Sequence, residues 1–271
     1  MNTPALHRHA DLPHGALPLL DSGTARIWLI DSAAVLPAEQ LDETEAQVAA
    51  KMNNPARIEA YRAAHLWTRS LLRRELGVCG DPITFARRSG GKPELDASLA
   101  NHGGRSALRF NYSHTNGYVA CAMARGTEIG VDMEEMAPLE ELPGLLQFVL
   151  HPQESGGRGS GRLESPLDTF FRIWTAKEAL LKATGHGLSV NLRQIELRDA
   201  QPQTLELVAA PPELAPFLGS LIGHGVLPVN GRRYAYAAAL LRRDARFEVM
   251  HVAAAEAAAP STQEHLECAT V

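Results

Sequence analysis

Apolar positions along the chain change period several times, and each change marks an expected element. An apolar run at Arg26–Ile30 predicts a strand, and helical spacing then predicts helices over about Leu36–Met52 and Pro55–Leu76, the second stopped by Gly77. After Asp81-Pro82 a strand is expected at Ile83–Arg87, followed by the loop Ser89-Gly90-Gly91-Lys92-Pro93. Ala107–Ala124 reads as a hairpin across Thr115-Asn116-Gly117, because Asn-Gly supplies the positive φ that a tight turn requires. A strand at Glu128–Glu134, a helix near Leu139–Val149, a Gly-rich loop over Ser155–Ser165 and a helix over Leu167–Thr184 follow. The rest, to about Val249, reads as strands, with Arg233–Leu241 the clearest. Strands and helices thus alternate twice, which predicts an α+β fold with a boundary near Gly126.

Composition narrows the class. The chain has 271 residues, 45% hydrophobic and 21% charged, enough for one large core or two small ones. With 26 basic residues against 31 acidic and a net charge of −5, no general affinity for nucleic acid is expected, so any phosphate recognition must be local. Cys79, Cys121 and Cys268 are too scattered for a disulfide framework or a zinc site, which fits a reducing cytoplasm. No apolar run is long enough to span a bilayer, and neither export nor membrane insertion is expected. The termini, 1–20 with His7, His9 and His14 and 251–271 with its Ala-rich composition, read as loose tails around halves at 21–126 and 127–250.

Candidate chemistry gathers in four places. Strand periodicity puts Asp132 and Glu134 on one face, a paired-carboxylate arrangement that suits a hard cation such as Mg²⁺ and equally a wet strand face. On the last long helix Trp174, Lys177, Glu178 and Leu181 share a face with Lys182 beside Glu178, while Ile173, Ala176 and Leu180 form a separate apolar stripe. Glu178 and Lys182 also make an ordinary i, i+4 surface pair. Gly91-Lys92-Pro93 offers backbone N–H groups and an ammonium to a phosphate, but Pro93 and Ala86 stand where a P-loop needs Ser or Thr and Gly. Ser113 and His114 lie at the mouth of the hairpin turn, without the G-x-S-x-G context of a hydrolase nucleophile.

In this order the segments Gly91-Lys92-Pro93, Phe110–His114, Gly130–Glu134 and Phe170–Leu188 resemble the Sfp-type 4′-phosphopantetheinyl transferase family over about residues 55 to 200. The resemblance implies two pseudo-symmetric α/β halves with coenzyme A and Mg²⁺ in the cleft between them. It implies transfer of phosphopantetheine to a serine of an acyl or peptidyl carrier protein, with release of 3′,5′-ADP, by a chain expected to be a monomer in this family's manner. Asp132, Glu134 and Glu178 look like the metal-binding carboxylates, and Lys92, Ser113 and His114 like contacts to the coenzyme A phosphates. Lys182 is similar to the lysine that holds the pyrophosphate. Trp174 and Lys177 stand at the remaining motif positions. Arg69 resembles an arginine that helps bind the 3′-phosphate region, whereas Arg57 and Arg62 fall out of register and His65 holds a place often basic. Glu154 resembles the glutamate that activates the acceptor serine, with Glu178 as its rival. The other activities compatible with these residues are a Mg²⁺-dependent phosphohydrolase acting on coenzyme A and a silent carrier-binding module; dependence on an acceptor separates the first from a transferase.

Overall fold

The computed structural model describes residues 6–9, 19–34, 36–37, 39–78, 83–87, 92–104, 106–154 and 164–254. In chain order the elements are β1 (Leu6–His9), β2 (Thr24–Asp31), α1 (Glu43–Ala50), α2 (Pro55–Leu76), β3 (Phe85–Arg87), β4 (Pro93–Leu95), α3 (Ala97–Ala100), β5 (Leu108–Thr115), β6 (Tyr118–Arg125) and β7 (Ile129–Glu135). They continue with α4 (Leu142–Val149), α5 (Pro166–Thr184), β8 (Glu196–Gln201), β9 (Thr204–Ala209), β10 (Leu221–Val229), β11 (Arg232–Leu240) and β12 (Arg246–Val252). The expected α+β class holds. Among the described residues no helix is long and apolar enough to cross a membrane.

Two five-stranded sheets carry the chain, ordered β1-β12-β2-β6-β5 and β7-β11-β10-β9-β8. Alternation along the strands sorts their side chains between layers. One face of the first sheet, with Trp28, Ile30, Phe110 and Met123, packs on α2. One face of the second, with Ala235, Ala237 and Ala239, packs on α5. The remaining faces meet each other through Ile27, Leu29, Ala120, Ala122, Val131, Met133 and Ala238, which are wholly buried or nearly so. The order of layers is therefore helix, sheet, sheet, helix.

Local chemistry sets the element ends. Asn54 caps α2, with Pro55 in its first turn, and Gly77 closes it in the left-handed region. Ser165 caps α5, and Gly185 ends it in the same way. Asp42 and Glu45 form a capping box on α1, which begins at Glu43 rather than near Leu36 as the apolar spacing suggests. The hairpin turns at Asn116-Gly117, where Gly117 has φ +86°.

Two expectations about organisation fail. Residues 6–9 do not belong to a loose tail: β1 pairs in parallel with β12, Leu6 opposite Val249. Nor does the chain divide cleanly near Gly126 into consecutive halves, because β12 returns to the first sheet and lies parallel to β2, Val249 opposite Ile27. The C-terminal strand thus closes the N-terminal sheet, and the expected tail from 251 starts inside β12. The expected Gly-rich loop falls outside the described residues over 155–163, as do Gly91 and the chain beyond 254.

Candidate active site

The site forms where the two sheets touch at their edges. β5 and β7 run side by side but are joined by side chains rather than by a backbone ladder. Asn111 Oδ1 accepts from Val131 N at 2.9 Å, Thr115 Oγ1 accepts from Glu135 N at 3.3 Å, and between them Ser113 Oγ donates to Asp132 Oδ1 at 3.0 Å. The polar alternation Asn111, Ser113, Thr115 was visible in the sequence, and it makes this seam.

Helix α5 lies directly across β7, and Gly130 permits the approach: a Cβ there would come within 2.1 Å of Ala179 O and 2.3 Å of Ala183 N. That closeness delivers Lys182 to Asp132, Nζ to Oδ1 at 2.6 Å, and to Ser113 Oγ at 3.0 Å. The Trp174 indole hydrogen-bonds Glu134. Burial, then the Asp132 charge, pushes Glu134 up to about 7, against the Trp174 hydrogen bond and the Lys182 charge. Burial and then Asp132 also raise the Glu178 carboxyl. Asp132 Oδ2 and Glu178 Oε1 are buried with no hydrogen-bond partner. Three carboxylates share one ammonium, and two of their oxygens are left without a proton donor.

Those orphaned oxygens test the fit of a hard cation. The donor set is all oxygen, as Mg²⁺ requires. Among the described residues no three His, Cys, Asp or Glu side chains are grouped so as to hold a metal ion by themselves. An open half-site is what an ion needs if it also binds substrate phosphates, since Mg²⁺ commonly takes one or two carboxylates and fills its shell with water and phosphate.

His114 sits at the outer end of the seam, its ring reaching solvent although the surrounding protein is dense enough to matter. That crowding, then the charges of His65, Lys182 and Arg57, lowers its pKa and favours the neutral imidazole.

Three expected site residues, and His65 with them, are committed elsewhere. Arg69 is 1% exposed and donates to Ile83 O, His65 O, Asp42 and Glu45, with its guanidinium over the Phe85 ring; it is a core tie, and nothing of it is presented to a 3′-phosphate. His65 is equally enclosed, between Glu45 at 2.6 Å and the Tyr112 hydroxyl at 3.1 Å. Lys177 is fully buried and donates to Val149 O, Glu154 Oε2 and Leu192 O at 2.8, 2.7 and 3.0 Å. It therefore does not share the Trp174 and Glu178 surface. Glu154 is held in return, Oε2 accepting also from His151 N and Oε1 from Leu197 N.

Lys92 also departs from expectation. Its Nζ binds Glu128 Oε2 at 2.8 Å and the carbonyls of Ile129 and Ala183 at 3.1 and 3.2 Å, pinning the β4 loop to β7 and the end of α5. The space around Lys92 and Pro93 amounts to about 10 Å³, room for one water at most. A cavity of about 950 Å³ lies instead beyond Glu134 toward the start of α5.

The 4′-phosphopantetheinyl transferase superfamily model matches residues 128–238, the stretch that carries β7, α5 and the second sheet. The chain is 31% identical over 214 residues to 4′-phosphopantetheinyl transferase HetI of Nostoc sp., covering 75% of this chain and 86% of that protein. It is 32% identical over 173 residues to a putative 4′-phosphopantetheinyl transferase of Synechocystis sp., covering 63% and 68%. Among solved structures, the holo-ACP-synthase of Plasmodium yoelii matches 42% of this chain and 94% of its own at 20% identity, with a TM-score of 0.32.

Proposed function

The chain belongs to the 4′-phosphopantetheinyl transferase superfamily, and on that premise we propose that Asp132, Glu134 and Glu178 hold a Mg²⁺ ion beside the pyrophosphate of coenzyme A. The observation that carries this reading is the pair of unpartnered buried oxygens, Asp132 Oδ2 and Glu178 Oε1, in a site already short of positive charge. Bound there, Mg²⁺ supplies charge neutralisation and polarises the phosphoryl oxygens.

The chain's own groups do the rest. The acceptor is a serine hydroxyl on an acyl or peptidyl carrier protein, which attacks the phosphorus that bears the pantetheine. The new P–O bond forms as the bond to the bridging pyrophosphate oxygen breaks, and 3′,5′-ADP leaves. Glu178, which stands beside Asp132, takes the serine proton. Three hydrogen bonds already engage Glu154, which favours Glu178 for that role. Lys182 turns its ammonium from Asp132 to the leaving phosphate, and Ser113 and His114 line the path of the pyrophosphate. Trp174 holds Glu134 in place through its indole N–H. We place this chemistry in the cytoplasm, where coenzyme A and apo carrier proteins meet.

The test is intact-mass spectrometry of an apo carrier protein incubated with the full chain, coenzyme A and Mg²⁺. A gain of one phosphopantetheine group, abolished by EDTA and by Asp132→Asn, is expected. Coenzyme A cleaved without any gain on the carrier, or a gain that survives both treatments, would sink the assignment.

A further inference from the structure

Lys92 stands outside the carboxylate site, yet it ties together the two elements that carry that site. A lysine ammonium has three N–H donors, and those of Lys92 have three acceptors: Glu128 Oε2 at 2.8 Å, Ile129 O at 3.1 Å and Ala183 O at 3.2 Å. Its side chain is 8% exposed, and the gap beside it amounts to about 10 Å³. The ammonium therefore has neither a spare donor nor room for a phosphate.

The two carbonyls lie next to site groups. Ile129 precedes Gly130, the strand residue on which the backbone of α5 rests, and Ala183 follows Lys182. Ala183 O belongs to the last turn of α5, where carbonyls lack a partner inside the helix, so the ammonium also answers the negative end of the helix. With glycine at 130 no side chain sets the gap between strand and helix. Backbone meets backbone there, and Lys92 clasps the two where they meet.

Further along β7 the strand and helix are joined by Lys182 with Asp132 and by Trp174 with Glu134. The first of these ties is given up in the reaction proposed above, when Lys182 turns to the leaving phosphate. The clasp at Lys92 stays, because Glu128 and the two carbonyls take no part in the chemistry. It is thus a tie independent of substrate, bonded to the residue next to Lys182 at the moment when Lys182 must keep its place.

We propose that Lys92 is a positioning residue for transfer: it acts through Lys182, by fixing α5 on β7, and makes no contact with coenzyme A. The assignment rests on the reading that Lys182 serves the leaving phosphate. Misplacing a reacting group by about 1 Å costs up to about a hundredfold in rate, so loss of the clasp falls on kcat. Loss of a phosphate contact made equally in ground and transition states falls instead on Kd and KM.

The test uses the full chain with Mg²⁺, coenzyme A and an apo carrier protein. Lys92→Met removes the three hydrogen bonds but leaves Glu128, whose side chain is 24% exposed, with Arg109 as partner at 3.2 Å, so the variant is expected to fold. Its kcat per folded molecule should fall about tenfold to a hundredfold, while Kd for coenzyme A, measured by calorimetry, stays at the wild-type value. Lys92→Arg keeps the charge and would serve a phosphate well, but it is too large for the gap and should lose kcat likewise. A raised Kd with kcat intact overturns the proposal and returns Lys92 to the ligand. A lowered Tm with kcat per folded molecule intact also overturns it, leaving a structural tie alone, and so does a Lys92→Arg enzyme with wild-type kcat. Failure of the Lys182 reading itself shows separately, as a Lys182→Ala enzyme that transfers at the wild-type rate.

Discussion

Replacing Lys177 with Met removes a cation that is completely buried and holds three oxygens at 2.7 to 3.0 Å. The loss strands Glu154, whose side chain is 5% exposed, as a buried carboxylate. Removing one member of a buried pair typically costs about 3–5 kcal/mol, because the surviving charge keeps its desolvation penalty. Glu154 retains the N–H donors of His151 and Leu197, which places the expected cost near the lower end, about 3 kcal/mol. In a chain of this size that lowers Tm by about 6–12 °C. The double variant Lys177→Met, Glu154→Gln removes the charge as well as its partner and should recover part of the loss, giving a coupling energy in a double-mutant cycle. Urea unfolding supplies the energies, and kcat per folded molecule, measured on a carrier protein, supplies the control. Glu154→Gln should lower stability and spare kcat. A variant that loses kcat while unfolding at the wild-type urea midpoint would refute the reasoning and restore Glu154 as the base. So would a Lys177→Met protein as stable as the wild type.

Three further outcomes are expected. Gly130→Ala drives a methyl group against the backbone of α5 and should cost about 3 kcal/mol, at the upper end of ordinary overpacking, while parting Lys182 from Asp132; a coincident fall in Tm and kcat checks it, and an unaltered Tm counts against the packing argument. Burial raises the Glu45 carboxyl, but the hydrogen bonds from His65 and Arg69 and the His65 charge outweigh it and hold the group at about 2 instead of 4.5. Its folded pKa lies below the unfolded one, so it contributes about 3 kcal/mol that is present above pH 4.5 and lost as pH falls toward 2. Urea midpoints at pH 3 and 6 should differ less in Glu45→Gln than in the wild type. Asp132→Asn keeps the shape of the side chain, and should unfold within a few degrees of the wild type while losing about a hundredfold or more in Mg²⁺-dependent transfer, as the loss of a key electrostatic group in an active site does.

Features set by neighbours in sequence were legible in it. The Asn116-Gly117 turn, the Pro55 start and Gly77 stop of α2, and the shared face of Asp132 and Glu134 each follow from a few adjacent residues, and each stands as expected. Features set by distant chain were not. Nothing local tells that Arg246–Val252 lies between Leu6–His9 and Thr24–Asp31 in parallel register, because a parallel pairing leaves no turn to read. The helix face fails for a related reason. Spacing groups Trp174, Lys177, Glu178 and Leu181, but the surface bends over two different neighbours. Lys177 and Leu181 sink into the packing against α4, whereas Trp174 and Glu178 turn to β7. Nothing in the sequence sets Gly130 apart from its strand neighbours, since only the helix above it shows why no side chain fits.

Satisfaction of charge is what separates the structural members of these motifs from the chemical ones. Lys177 with Glu154, Arg69 with Glu45, and Lys92 with Glu128 are all ion pairs embedded among carbonyl or N–H partners, and such pairs fix geometry: they join α5 to α4, α2 to α1, and the β4 loop to β7. Lys182 with Asp132 is the exception. Its lysine is 30% exposed, its carboxylate keeps one oxygen unpaired, and two more raised carboxyls stand beside it. A folded chain tolerates one such concentration of unmet charge only where something else supplies the balance, because an uncompensated buried carboxylate costs several kcal/mol. Two of these ion pairs, Lys177 with Glu154 and Lys92 with Glu128, make that tolerable by anchoring α5 and β7. The same motif lysine and glutamate, adjacent in sequence at 177 and 178, thus divide the work: one locks the helix to the core, and the other is held half-buried and underpartnered, where the proposed cation and phosphate would complete it.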